Sequence, residues 1–163
     1  MKAGSRRTSL LVAAQIVGSC AIFGCRQPDP NRDEVCFSAG CFRVEVAQDS
    51  EALTRGLQHR SHLPRQAGML FIFPRPGYYP FWIKDTLLAL DILWLAPNRR
   101  VVDIAPSVPP CREEPCLTYS PKGESLFVLE INAGQAQRMG LKAGDEAVFH
   151  LRSSLLMGTT DPR

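Results

Sequence analysis

Between residues 42 and 47, apolar Phe42, Val44 and Val46 alternate with Arg43 and Glu45, the period-two pattern of a half-buried strand. Asp49 or Ser50 then offers an N-cap for a short helix that carries Leu53 and Leu57 towards Arg60, with Pro64 as its stop. Residues 68–73 are an apolar run bounded by glycine and proline, which predicts a buried strand. Pro74, Pro76, Gly77 and Pro80 predict a loop bearing Tyr78 and Tyr79. The following stretch, 81–96, predicts two strands around a bend near Thr86. Further strands are expected at 101–105, 126–131 and 147–151, with a long irregular loop at 106–121 that holds five prolines and two cysteines. One helical turn is expected at 134–139, stopped by Gly140, and a tight turn at 142–145. The fold class expected is therefore mainly β (α+β). It is a single compact barrel or sandwich-like domain over 42–151 with one or two short helices, followed by an unstructured tail, 152–163.

The N-terminus obeys a different pattern. Lys2, Arg6 and Arg7 precede an apolar, small-residue stretch at 10–24, the layout of a secretory signal peptide (1–24) and too short for a comfortable membrane span. Ile22-Phe23-Gly24-Cys25 and Val17-Gly18-Ser19-Cys20 both resemble the lipobox of bacterial lipoproteins. Phe23 is bulky for its position, which favours Cys20. Lipidation of Cys25 leaves an even number of downstream cysteines in an oxidising compartment, which favours Cys25. Cys25 is the site expected, with Cys20 as the alternative. Residues 25–41 then form the lipidated cysteine and a flexible tether. The chain is thus expected to be exported to the bacterial cell envelope and held to a membrane by its lipid, on the periplasmic or extracellular side.

Length and charge narrow the functional classes. The 163 residues suffice for one domain and not two. Without Lys2, Arg6 and Arg7 the chain has 16 basic and 16 acidic residues, counting from 19 and 16 in the whole. That balance leaves no electrostatic footprint for nucleic acid.

Candidate chemistry lies where charge interrupts apolar runs. Arg60, Lys84, Asp85, Thr86, Asp91 and Glu130 form a candidate polar cluster, since buried charges need partners. One reading is a mutually satisfied ion-pair network; the other is a site with carboxylates as acid and base and Lys84 or Arg60 binding an anion. Tyr78, Tyr79, Phe81 and Trp82 form a candidate binding loop able to stack on sugars or dock peptides, although the apolar neighbours of Trp82 and Trp94 point to the core for both indoles. Cys36/Cys41 and Cys111/Cys116 are expected as two disulfides, paired locally or across the two segments. Their spacing suits neither a zinc site nor a Cys-x-x-Cys redox centre. His59 and His62 fit solvated surface positions, and so does His150. No metal or cofactor is expected, and no nucleophile elbow, phosphate loop or dinucleotide fingerprint is present.

Several short motifs together carry a resemblance. Gly56-Leu57 with Arg60, Leu63-Pro64, Gly68-Met69-Leu70-Phe71, residues 81–86 with Leu90-Asp91-Ile92, Val128-Leu129-Glu130-Ile131 with Ala133-Gly134, and Gly144-Asp145 resemble the bacterial and archaeal domain-of-unknown-function 192 family. The chain departs from that pattern at Ile83, where Met is usual, and at Ala89, where Pro is usual. The resemblance implies a small β-rich fold, often exported or membrane-anchored, and no established activity. The functional expectation is a non-catalytic envelope module that binds a ligand or protein. The alternatives are an envelope hydrolase or lyase using Asp85, Asp91 and Glu130, or a structural scaffold.

Overall fold

The computed structural model describes residues 32–152. The expected signal peptide, both candidate lipidation sites (Cys20 and Cys25) and the chain beyond Arg152 lie outside the described residues. Seven strands form one sheet: β1 (Glu34–Phe37), β2 (Gly40–Ala47), β3 (Ala67–Gly77), β4 (Leu90–Leu95), β5 (Val101–Val108), β6 (Ser125–Asn132) and β7 (Val148–His150). Their spatial order is β5-β4-β6-β3-β2-β1-β7. All neighbours run antiparallel except β2 and β3, which are parallel and connected through helix α1 (Ser50–Arg55). A second helix, α2 (Gln135–Arg138), follows β6. The sheet curls into a half-barrel. The β4–β5 turn meets the approach to β7, where Ala147 N–H donates to the Arg99 carbonyl and Val101 N–H to that of Asp145. The Arg100 guanidinium ties the same corner to the Gly144 carbonyl and the Glu146 carboxylate.

Strand parity sorts the side chains into two cores. Leu70 and Ile72 of β3, Leu93 and Leu95 of β4, and Leu129 and Ile131 of β6 fill the concave side with Val35 and Phe42. Met69 and Phe71, Ile92 and Trp94, and Val128 project from the other face and pack under Leu57, Leu63 and Ile83. Both faces of β3, β4 and β6 are therefore covered, which is why these strands read as continuous apolar runs. Gly68 stands opposite Ile131, where a Cβ would come within 2.5 Å of the Glu130 carbonyl oxygen. That contact demands glycine for the approach of β3 to β6.

The elements differ from the sequence expectation in five places. Glu34–Phe37 is a strand rather than tether, because Cys36 pairs with Cys41 across the β1–β2 hairpin and β1 is paired on its other side with β7. The N-terminal boundary of the domain consequently lies before Phe42. Strand β3 continues through Pro74 and Pro76 to Gly77, with its register against β6 shifted after Ile72. Helix α1 stops at Arg55, since Gly56 turns to φ 49° before Pro64 is reached. Strand β5 takes in residues up to Val108, shortening the loop expected from Pro106. Residues 81–96 hold one strand, β4; the first half makes only isolated bridges, Phe81 to Tyr119 and Lys84 to Cys111, and Asp85 takes φ 53°.

Both ends of the described chain are fastened together. The buried Asp33 carboxylate accepts from Arg152 N–H, Nε and Nη2 at 2.8, 3.0 and 2.7 Å. Arg152, expected in the tail, thus belongs to the domain. The carboxylate also holds the Arg152 guanidinium above its ordinary pKa through hydrogen bonding and charge attraction.

Candidate functional site

The outer face of the sheet carries a cleft. Phe71 and Phe73 of β3 share the parity of Met69 and line it from the sheet side. The end of α1 with Leu57 and Gln58 forms one wall, and the segment from Tyr79 to Thr86 forms the other. Two backbone bonds zip these covers together: His59 N–H to the Asp85 carbonyl and Leu87 N–H to that of Arg60. Asn132 Nδ2 pins the first cover to β6 by donating to the carbonyls of Leu63 and Pro64. The cleft encloses about 250 Å3.

Its aromatic wall is held by ring packing. Tyr79 stacks on Phe73 with centroids 3.6 Å apart, and Phe81 meets Phe71 edge-on at 5.0 Å. Tyr79 is fixed further by its hydroxyl donating to the Arg75 carbonyl at 2.6 Å, while its own carbonyl accepts from Trp94 Nε1 at 2.8 Å. Trp94 is in the core as expected. Trp82 is not: it is 52% exposed at the rim of the cleft, because residues 81–89 form no ladder that would turn it inward. Tyr78 is exposed and outside the cleft lining.

At the base sits Glu130. On β6 it stands opposite Met69 of β3 and Ile92 of β4, so its carboxyl emerges between two apolar side chains. The residue is 4% exposed, and its carboxyl has no hydrogen-bond partner among the described residues. No sealed side-chain polar atom among them lacks a partner, so the Glu130 oxygens keep contact with the open cleft. Burial without compensation pushes its pKa up to about 8. At neutral pH the group is largely a neutral acid, able both to donate and to accept a hydrogen bond.

The other five residues of the expected cluster are dispersed. Arg60 forms a two-pronged pair with Glu45 across from β2, which raises its pKa through hydrogen bonding. Lys84 lines the cleft mouth but pairs with Glu114; the hydrogen bond and charge raise the lysine's pKa and lower the glutamate's. Asp85 is exposed. Thr86 is buried in the cleft wall, its hydroxyl donating to the Lys84 carbonyl. Asp91 is fully buried and accepts from the N–H groups of Ser107, Gly134 and Ala136. It organises the β5 bulge and the start of α2. A single mutually satisfied network, one of the two readings open from sequence, is not what the fold builds.

The cysteines pair locally, Cys36 with Cys41 and Cys111 with Cys116. Glu34 lies close to the first disulfide, but those sulfurs are not free thiolates and offer no metal donor set. His59 and His62 are exposed, and His150 is half-buried opposite Glu34. Sequence reading missed Phe73 and the α1 end as cleft walls. The parity of Phe73 with Phe71 was the available signal; that α1 would reach them was not in the sequence.

A family model described as DUF192, uncharacterized ACR, matches residues 35–149. The chain belongs to the DUF192 family. A crystal structure of a protein of unknown function from Novosphingobium aromaticivorans DSM 12444 is similar, with 35% identity and a TM-score of 0.65. That match covers 72% of this chain and 83% of the other. A second, from Sinorhizobium meliloti 1021 and named provisionally as a transcription regulator, shares 29% identity with a TM-score of 0.66, over 74% of this chain and 94% of that one. No curated protein matches the chain. The DUF192 match begins inside β1 and ends inside β7, so it spans the whole half-barrel.

Proposed function

We propose that this DUF192 chain is an exported, lipid-anchored binding module of the bacterial envelope that takes a neutral, ring-sized group, such as one sugar unit, into the cleft over Glu130. The observation that carries the reading is the buried Glu130 carboxyl, without a partner among the described residues, at the base of an aromatic-walled recess. A buried polar group normally has a partner, and a ligand hydroxyl supplies one here. Aromatic faces beside it suit the apolar face of a sugar ring. The volume excludes a polymer from entering whole, so a longer ligand would insert one unit. Two local disulfides fit an oxidising compartment, and the signal-like N-terminus ending in Cys25 supports export and anchoring.

The hydrolytic alternative loses support from the same geometry. Glycoside hydrolysis ordinarily uses two carboxyl groups flanking the bond. Among the described residues Glu130 is the one acid lining the cleft, and Asp91 is committed to three backbone amides on the opposite face of the sheet. The test is fluorescence of rim Trp82 during titration with the N-acetylglucosamine tetramer. A saturable change, lost in Trp82→Phe and weakened in Glu130→Leu, is the expected result. A flat titration with the tetramer and with neutral disaccharides would sink the saccharide assignment.

A further inference from the structure

A larger recess, about 800 Å3, opens elsewhere on the domain, between β2, the segment leading into β3, and α2. It shares no lining residue with the Glu130 cleft. Four guanidinium groups from separate parts of the chain line it: Arg43 on β2, Arg60 and Arg65 from the connection after α1, and Arg138 on α2. Among the described residues Glu45 is the one acid in the lining, and both its oxygens are taken by Arg60. The side chains of Arg43, Arg65 and Arg138 make no hydrogen bond or ion pair among the described residues. Glu34, opposite Arg43 in the β1–β2 register, forms no ion pair with it.

A chain with balanced mature charge therefore gathers three uncompensated cations around one hollow. All three are exposed, so water screens their mutual repulsion; what the recess adds is that the three line one hollow, open to a single anion. A second observation points the same way. Gln135 is 7% exposed, its side-chain amide has no partner among the described residues, and no sealed side-chain polar atom is left unpaired. Gln135 lines the recess, so it offers a neutral donor beside the cations.

We infer that this recess is a second site, for a discrete ligand bearing two or more phosphate or carboxylate groups. Guanidinium forks match both oxyanions in planar, two-pronged geometry. Three arginines without a partner among the described residues, on β2, α2 and the connection before β3, exceed what a monovalent ion satisfies. The hollow falls in the range of small-molecule sites, roughly 300–1,000 Å3. A flat bilayer cannot enter a concavity, so a membrane lipid would have to contribute its headgroup alone.

The experiment titrates tripolyphosphate into the full chain carrying Cys20→Ser and Cys25→Ser, followed by calorimetry at low and moderate salt. Binding should weaken with salt. It should fall by roughly tenfold or more in Arg65→Gln/Arg138→Gln and also in Arg43→Gln/Arg138→Gln. Gln135→Leu should weaken it by a smaller factor. The control pair Arg75→Gln/Arg112→Gln, away from the recess, should leave it within about twofold. Melting curves of each variant establish that it is folded. Phosphatidylglycerol vesicles that compete with tripolyphosphate, while phosphatidylcholine vesicles do not, would make a lipid headgroup the source of the phosphate. Tripolyphosphate binding that the vesicles leave untouched would make it a soluble anion. Absence of binding to both probes, or equal losses in the recess and control pairs, overturns the site. None of these outcomes depends on the Glu130 cleft.

Discussion

Asp91 and Glu130 lie on adjacent antiparallel strands one step out of register, Asp91 facing Ile131 and Glu130 facing Ile92, and so leave the sheet on opposite faces. Asp91 meets three backbone N–H groups there; Glu130 meets two apolar side chains and an open cleft. Two buried acids only a strand apart thus meet opposite surroundings, one held by three N–H donors and the other a proton-bearing acid at an open cleft.

The pH dependence of stability should report Glu130. Its pKa rises from an ordinary 4.5 to about 8 on folding. Between those values the unfolded chain releases the proton and the folded chain keeps it, so stability falls as pH rises through the window. Below the window the group costs nothing; above it the full penalty, on the order of 5 kcal/mol, is present. Glu130→Gln should flatten this dependence and melt above wild type at pH 9. Thermal melts of both proteins from pH 4 to 9 check it. Parallel curves would place the carboxyl in contact with more water than the fold shows.

Asp91→Asn should be expensive. It puts an amide donor among three N–H donors, and a loss of about 2–3 kcal/mol is expected. For a domain of this size that lowers the Tm by roughly 10 °C. Saccharide titration of the folded variant at low temperature should be unchanged. An Asn variant that folds normally and loses binding would move Asp91 into the site.

Asp85 supplies the contrast. It is exposed, and its φ of 53° suits Asn as well as Asp. Asp85→Asn should stay within about 0.5 kcal/mol of wild type, whereas Asp85→Val should cost about 1–2 kcal/mol through backbone strain alone. Denaturant midpoints distinguish them.

Reduction of the disulfides should cost about 2 kcal/mol each, the loop-closure value for such short loops. Loss of Cys111–Cys116 should also loosen Glu114 from Lys84 and open the cleft mouth, since Lys84 bridges to Cys111 along the same segment. Melts with and without reductant, combined with hydrogen exchange over residues 109–119, measure both effects.

Radiolabelled palmitate in the producing bacterium tests the anchor. Incorporation should vanish in Cys25→Ser and persist in Cys20→Ser. The reverse pattern moves the lipid to Cys20, and label in neither wild type nor variants removes the anchor.

Much of this fold was legible from alternation and punctuation. Strands β2, β4 and β6 have strong apolar patterns, and Gly and Pro mark the ends of most elements. What escaped was decided by partners distant in sequence. Glu34–Phe37 looks like charged linker until β2 and β7 flank it. Residues 81–89 are apolar enough for a strand, yet alternate segments of the chain, not a neighbouring ladder, cover them, and Trp82 swings to the rim. The six polar residues were visible as exceptions in apolar runs. Which would meet was not, because the face each occupies follows from strand register, and register is set by pairing across tens of residues.

The Asp33–Arg152 clasp has a consequence for how the domain is connected to anything else. Entry and exit of the half-barrel sit side by side, so the two ends can be joined without a linker crossing the fold. A short linker joining the two ends, with new termini opened between the exposed Leu117 and Thr118, should yield a circular permutant with the same sheet.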